Sequence, residues 1–84
     1  MGMPRVGNVI GRNVARFRYR EGWTQEVLAV KMQLLGCYMT RDIIANIESR
    51  RSNVTDRQIE FFTEVFGVEV GELFPRRHPF KRSE

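Results

Sequence analysis

Residues 40–51 read TRDIIANIESRR, and this stretch decides how the rest of the chain is interpreted. Thr40 is a good N-cap residue, and Asp42 places a carboxylate in the first helical turn, where the helix dipole favours negative charge. Ile44 and Ile47 are three residues apart in the sequence, so they share one side of a helix. The stretch therefore predicts an amphipathic helix that buries its isoleucines and exposes a polar side.

The residues before this stretch predict two more helices. The first is expected to begin near Asn8 and to run to about Glu21, with a glycine after its last turn. The second is expected to be capped by Thr24 and to end at Gly36. Its inner face is predicted to consist of Leu28, Met32 and Leu35.

The residues after the stretch predict two further helices. Thr55 and Gln58 have the spacing of a capping box, so a fourth helix begins there, and it is expected to end at Gly67. A short last helix is predicted at about Val70 to Phe74. Because helical periodicity dominates, the chain is expected to be all-α, with one core. The predicted core residues are Phe17, Leu28, Met32, Ile44, Ile47, Ile59, Phe62 and Phe66.

Length and composition indicate one domain. The chain has 84 residues, enough for a single compact domain, and no stretch approaches the roughly 20 apolar residues of a membrane span. A single cysteine, Cys37, excludes an internal disulfide framework and is typical of a reducing, cytoplasmic setting. We expect a flexible N-terminus at 1–7, a folded domain at 8–74 and a mobile basic tail at 75–84.

Positive charge is concentrated in the first part of the chain. Residues 1–51 contain nine basic and four acidic residues, whereas residues 52–74 contain one basic and five acidic residues. Twelve of the fourteen basic residues are arginine, whose planar guanidinium can bind phosphate or guanine with two hydrogen bonds. This distribution favours a polyanion on one side of the molecule over a uniformly mixed surface.

The sequence lacks the residue combinations of an enzyme. No nucleophile is paired with a general base, no glycine-rich loop is suited to phosphate, and no cluster has the spacing of metal ligands. The one histidine, His78, stands in the expected tail. We therefore expect neither catalysis nor a cofactor or metal.

The second and third predicted helices have the form of a helix-turn-helix, in which the second helix of the pair lies in the major groove of DNA. Four residues at 40–51 would then meet base edges. Arg41 suits guanine and Asn46 suits adenine. Asp42 suits cytosine or the orientation of Arg41, and Ile43 suits a thymine methyl group.

The similarity to a helix-turn-helix domain extends over residues 8–74 in an ordered set of residues. The set is Ile10-Gly11, Arg18, Thr24-Gln25-Glu26, Leu28-Ala29, Thr40-Arg41, Ile44, Ile47-Glu48, Phe66-Gly67-Val68 and Glu72-Leu73-Phe74. In these residues the chain resembles the Cro/C1-type helix-turn-helix domain, the lambda-repressor-like or XRE family. The resemblance implies a compact five-helix DNA-binding domain.

The resemblance also implies roles for individual residues. Gln25, at the start of the second helix, would contact a phosphate, and Arg18 and Glu48 would form a partly buried ion pair. Arg50 and Arg51 are expected either to bind phosphate or to interact with the helix dipole. The full set of expected phosphate-binding residues is Thr24, Gln25, Tyr38, Thr40, Arg50, Arg51 and Asn53.

The connection between the two helices departs from the family pattern. Residues 31–40, KMQLLGCYMT, make it about five residues longer than usual, and Gln33 stands where the family has a glycine. We expect the second helix to continue for about one more turn to Gly36, and Met39 to fill the core. A second departure is Glu69, which is a poorer N-cap than Ser or Asp.

These features predict a sequence-specific transcriptional regulator, most simply a repressor, that binds double-stranded DNA as a homodimer. Its half-sites would lie about one helical turn apart. The alternative is a protein-interaction module of the same fold, such as an antitoxin-like protein with its own protein partner. Phe61 and Val65 either widen the core face of the fourth helix or form a patch for a second subunit.

Overall fold

The computed structural model describes residues 9–75, which contain five helices and no strand. The helices are α1 (Gly11–Glu21), α2 (Gln25–Leu35), α3 (Arg41–Glu48), α4 (Asp56–Phe66) and α5 (Val70–Leu73). The prediction of an all-α fold is therefore confirmed for this part of the chain. The expected flexible N-terminus at 1–7, Asn8, His78 and the tail after Pro75 lie outside the described residues.

Three helices begin at the predicted threonine caps. The Thr24 hydroxyl accepts a hydrogen bond from the Val27 N–H at 3.0 Å, and Thr40 accepts one from Ile43 at 3.1 Å. Thr55 completes the predicted capping box with Gln58, because each side chain pairs with the other residue's backbone N–H at 3.0 Å. These contacts satisfy amides that the first turn of a helix leaves without partners.

The boundaries of α1 and α5 differ from the predicted ones. Helix α1 begins at Gly11 instead of near Asn8, and Ile10 occupies its N-cap position without a side-chain hydrogen bond. Helix α5 ends at Leu73, one residue before the predicted end, and its first residue, Val70, is exposed. The start of α1 thus lacks a side-chain cap, whereas α5 starts at Val70 as predicted, with the Glu69 N–H donating to the Glu72 carboxylate at 3.1 Å.

Helix α3 ends at Glu48, three residues before the predicted end at 51. Arg50 has a φ of 66°, which places it in the left-handed region, and the Arg51 N–H turns back to the Asn46 carbonyl at 2.8 Å. The chain therefore leaves the helix through a left-handed residue, a role that glycine usually takes. Arg50 and Arg51 belong to the loop after α3.

The eight predicted core residues are all buried. Leu35, in contrast, is only partly buried, so its predicted place on the inner face of α2 is wrong. Aromatic rings join the helices at one end of the core, where Phe66 stacks on Trp23 with 5.9 Å between ring centroids and on Phe62 with 6.2 Å. In the part of the chain that the structure describes, no helix combines the length and apolarity that a membrane crossing requires.

Gly11 brings the backbone of α1 against the end of α3. A Cβ atom at this position would lie 2.3 Å from the Ile47 carbonyl oxygen and 3.3 Å from that of Glu48. Real Cβ atoms do not approach a backbone oxygen so closely. Only glycine therefore permits this contact between the two helices.

A buried asparagine attaches α5 to α1. The Asn13 side-chain amide donates to the Leu73 carbonyl at 2.9 Å, and Arg16 donates to the Asn13 side-chain oxygen at 2.9 Å. The Leu73 carbonyl lies at the end of a four-residue helix, where backbone acceptors lack intrahelical partners. Asn13 thus supplies a hydrogen bond that the short helix cannot make internally.

The lengthened turn between α2 and α3 has the predicted course. Gly36 ends α2 with a φ of 103°, and the Cys37 N–H donates to the Met32 carbonyl at 3.0 Å. Met39 is fully buried in the core, and the Gln33 side-chain amide donates to the Met39 carbonyl. Burial raises the pKa of the Cys37 thiol, which favours its neutral form and agrees with a packing role.

Candidate nucleic-acid interface

Helix α3 has one buried side and one exposed side. Ile44 and Ile47 are buried, whereas the side chains of Arg41 and Asp42 are 61% and 85% exposed. Ile43 and Asn46 are half-buried, and Ile43 packs against the edge of the core. The first turn of α3 is therefore the most accessible part of the helix.

Arg41 and Asp42 contact each other at the start of α3. The Arg41 guanidinium donates to the Asp42 carboxylate at 3.1 Å. Of the two roles expected of Asp42, this contact supports the orientation of Arg41. The guanidinium has further N–H groups, so this hydrogen bond leaves donors for a ligand.

The start of α2 lies beside the start of α3. One shallow groove is lined by residues from the end of α1, the start of α2 and the start of α3. These residues are Arg18, Tyr19, Gly22, Trp23, Thr24, Gln25, Glu26 and Arg41. The structure therefore brings Arg41, expected to read bases, to the same surface as two residues expected to bind phosphate, Thr24 and Gln25.

Arg18 and Glu48, the pair that the resemblance implies, are in contact. The Arg18 Nε lies 2.7 Å from Glu48 Oε2, and its Nη2 lies 2.9 Å from Oε1, so the pair is bidentate. The side chains are only 7% and 9% exposed. The hydrogen bond to Glu48 raises the pKa of Arg18 more than burial lowers it, which keeps the guanidinium charged.

Two further contacts make this ion pair part of a network. Arg18 Nη1 donates to the Trp23 carbonyl at 2.9 Å, and the Gln25 amide donates to Glu48 Oε1 at 3.0 Å. The network therefore links the end of α1, the start of α2 and the end of α3. The Gln25 amide nitrogen is bound to Glu48, and the first turn of α2 has backbone N–H groups without intrahelical partners.

The remaining residues expected to bind phosphate occupy the two connections around α3. Arg50, Arg51 and Asn53 are exposed in the loop after the helix. Tyr38 is exposed in the lengthened turn, and Thr40 is half-buried as the cap of α3. Arg50 and Arg51 directly follow the last turn of α3, where the negative end of the helix dipole also attracts cations.

Replacement of Arg50 by glycine is expected to change stability and DNA affinity in opposite directions. Arg50→Gly is expected to raise the free energy of unfolding by roughly 0.5–1 kcal/mol, because glycine adopts the left-handed conformation without steric cost. The same change is expected to weaken DNA binding, because it removes a cation from the loop. Chemical denaturation and a fluorescence anisotropy titration with DNA measure the two effects.

Arg51→Gly is the matched control for this change. Among residues 9–75, Arg50 is the one non-glycine residue with positive φ, so Arg51 carries no such strain. Its replacement is expected to weaken DNA binding and to leave stability unchanged or slightly lower. Equal changes of stability in the two variants would contradict the interpretation of Arg50.

Sequence reasoning missed the outer side of α2. Val27, Val30 and Leu34 are exposed there, whereas the predicted apolar face of this helix was the inner one alone. The signal was present, because QEVLAVKMQLL has apolar residues on two sides, and an inner face accounts for only one of them. Phe61 and Val65, in contrast, pack against the core, in agreement with the simpler of their two expected roles.

The candidate interface thus consists of the exposed side of α3, the start of α2 and the loop after α3. It combines arginine side chains with a helix N-terminus, which are the two protein features that bind phosphate most readily. Comparison with family models, with curated proteins and with solved structures finds no match to this chain.

Proposed function

We propose that the chain is a sequence-specific DNA-binding regulator that acts as a repressor, with α2 and α3 as a lambda-repressor-like helix-turn-helix. The observation that supports this proposal is the placement of α3. Its isoleucines and the Arg18–Glu48 pair hold it to the body, while Arg41 and Asp42 extend outward beside the start of α2. This is how a helix that enters a major groove is held.

In this proposal α3 reads the bases. Arg41 binds guanine O6 and N7, with Asp42 as the residue that orients it. Asn46, one turn later, pairs with adenine. Ile43 is half-buried, so only its exposed part is offered to a thymine methyl group.

Phosphate contacts come from both sides of α3. The N-terminus of α2, with Thr24 and Gln25, binds one phosphate through backbone N–H groups and the helix dipole. Arg50, Arg51 and Asn53 bind the backbone on the other side, helped by Tyr38 and Thr40 of the turn before α3. These contacts fix the position of α3 but carry no sequence information.

The exposed acidic residues of α4 favour one orientation of the protein on a duplex. Asp56, Glu60 and Glu64 are four residues apart and exposed along α4. A phosphate backbone would be repelled by this side of the molecule. The basic side, which includes Arg41, Arg50 and Arg51, is therefore proposed to face DNA.

The first experiment is a selection of bound sequences from random DNA, followed by titrations of the selected site at several salt concentrations. If a dimer neutralises about 6 phosphates, the slope of log K against log salt concentration is expected to be near −5. A palindromic selected site would agree with binding as a homodimer. Association that does not depend on salt would contradict the proposal.

Arg41 and Arg51 are expected to differ in their effects on specificity. Arg41→Ala should cost about 1–3 kcal/mol of binding free energy and relax selectivity at one base pair. Arg51→Ala should weaken binding to all sequences alike, because a phosphate contact does not read the base. Titrations with the selected site and with its single-base variants measure both, and identical profiles for the two variants would refute the assigned roles.

The exposed apolar residues Val27, Val30 and Leu34 favour a second candidate, a protein-interaction module of the same fold. An antitoxin-like protein combines such a protein partner with binding to DNA. Arg41→Ala discriminates between these roles, because it should weaken the shift of DNA mobility and leave binding of a protein partner unchanged.

A further inference from the structure

The outer side of α2 exposes a continuous row of apolar side chains. Val27 is 39% exposed, Val30 50% and Leu34 81%, and these three residues are referred to as the apolar stripe. The opposite side of the same helix is fully used, because Leu28, Ala29 and Met32 are buried in the core. Helix α2 is thus apolar on two sides but covered on only one.

The spacing within the apolar stripe is that of a coiled-coil seam. Val27, Val30 and Leu34 are three and then four residues apart, as are the positions at which two helices interlock their side chains. A pair of such seams excludes water from both stripes. The pattern suits another α2 better than it suits a flat protein surface.

The charges beside the apolar stripe are complementary to those of a second, parallel α2. Glu26 and Lys31 flank the stripe on opposite sides and are five residues apart. This is the spacing at which a residue of one helix meets its partner across a parallel coiled coil. An antiparallel pair would instead place Lys31 opposite a second Lys31.

Lys31 is held in a position that is compatible with this contact. Its Nζ lies 4.7 Å from the centroid of the Trp23 ring. The attraction of the cation to the ring uses one side of the ammonium group, which has three N–H donors. Donors therefore remain for a carboxylate.

We propose that a second copy of this chain covers the apolar stripe, so that two α2 helices pack in parallel around a two-fold axis. Glu26 of each copy pairs with Lys31 of the other. In such a dimer both α2 N-termini, each with Thr24 and Gln25, face the same side. The dimer would thus offer two candidate interfaces to one duplex, and this last consequence, though not the self-association, rests on the proposed function.

The size of the apolar stripe sets the strength of the dimer. Three side chains per copy are far fewer than the roughly 20–30 residues per partner of a stable interface. Self-association in the absence of DNA is therefore weak. A duplex that holds two copies side by side raises their effective concentration and favours the same contact.

Sedimentation equilibrium of the full chain without DNA, from micromolar to millimolar concentration, tests the proposal. The wild-type chain is expected to form dimers, and Leu34→Glu is expected to weaken the dimer about tenfold or more. Val70→Glu is the matched control, because Val70 on α5 is 47% exposed, close to the value for Val30. Circular dichroism verifies that each variant is folded.

A charge-reversal cycle tests the parallel arrangement. Glu26→Lys and Lys31→Glu are each expected to weaken self-association, and the double variant is expected to restore it. A double variant weaker than both single variants would overturn the parallel pairing. A wild-type chain that stays monomeric, or a dimer that Leu34→Glu leaves intact, would overturn the proposal as a whole.

The test of self-association and the test of DNA binding can fail independently of each other. Arg41→Ala is expected to dimerise like the wild-type chain and to bind DNA more weakly. A dimer that responds to Leu34→Glu but binds no DNA would refute the proposed function and support this inference. A chain that binds DNA but shows no self-association through the apolar stripe would do the reverse.

Discussion

Glu48→Ala is expected to lower the free energy of unfolding by about 3–5 kcal/mol, because it leaves the buried Arg18 guanidinium without its counter-ion. The pair is 7% and 9% exposed, so water replaces the carboxylate poorly. Gln25 loses its acceptor at the same time. Thermal and chemical denaturation measure the loss, and DNA affinity is expected to fall only as far as the folded fraction does.

Two variants control this prediction. Glu60→Ala removes an exposed carboxylate from α4 and is expected to change stability by less than about 0.5 kcal/mol. The double change of Arg18→Met and Glu48→Leu removes both charges and should be less destabilising than Glu48→Ala alone. If Glu48→Ala lost DNA binding while its melting temperature stayed unchanged, Glu48 would have to be a contact residue and not a structural one.

Met39→Ala is expected to lower the free energy of unfolding by about 2–5 kcal/mol. Met39 is fully buried, although it belongs to a turn, and its truncation leaves a cavity between α2 and α3. The Gln33 side chain still binds the Met39 carbonyl, so the backbone is held in place and cannot close the cavity readily. Chemical denaturation gives the magnitude.

The neighbouring residue supplies the control for Met39. Tyr38 is 74% exposed, so Tyr38→Ala is expected to change stability by no more than about 0.5 kcal/mol when measured at concentrations that keep the chain monomeric. Met39→Leu conserves volume and is expected to cost less than about 1.5 kcal/mol. A larger loss for Tyr38→Ala than for Met39→Ala would show that the turn does not anchor in the core through Met39.

Local signals predicted most of the fold. The caps at Thr24, Thr40 and Thr55 depend on a side chain and an amide three residues later, so the sequence contains the whole interaction. The buried positions followed from helical periodicity in the same way. Where the local signal was weak, as at the start of α1, the predicted boundary was wrong by about one turn.

Long-range contacts that the family resemblance did not imply were beyond sequence reasoning. The Asn13 side chain binds the Leu73 carbonyl across a separation of 60 residues, and no pattern in the sequence relates them. The end of α3 is similar, because Arg50 takes a left-handed conformation that sequence preference assigns to glycine or asparagine. Such features depend on how the elements pack, which periodicity does not specify.

Sequence reasoning predicted exposed residues of the candidate interface but not the hydrogen bonds that link its helices. Arg41 and Asp42 are exposed as expected, and the groove beside them includes Thr24 and Gln25. The attachment of Gln25 to Glu48 was not foreseen, because the resemblance assigned each residue a separate role. The apolar stripe was missed because an inner face had already accounted for α2.

The contact at Gly11 has a consequence for the freedom of α3. Since a carbonyl oxygen stands where a side chain would begin, no rotamer change can open a space between α1 and the end of α3. At this point the angle between the two helices is therefore set by backbone contact and not by side-chain rotamers. The entropy cost of fixing the angle of α3 is incurred during folding. Binding of a ligand therefore does not incur this cost a second time.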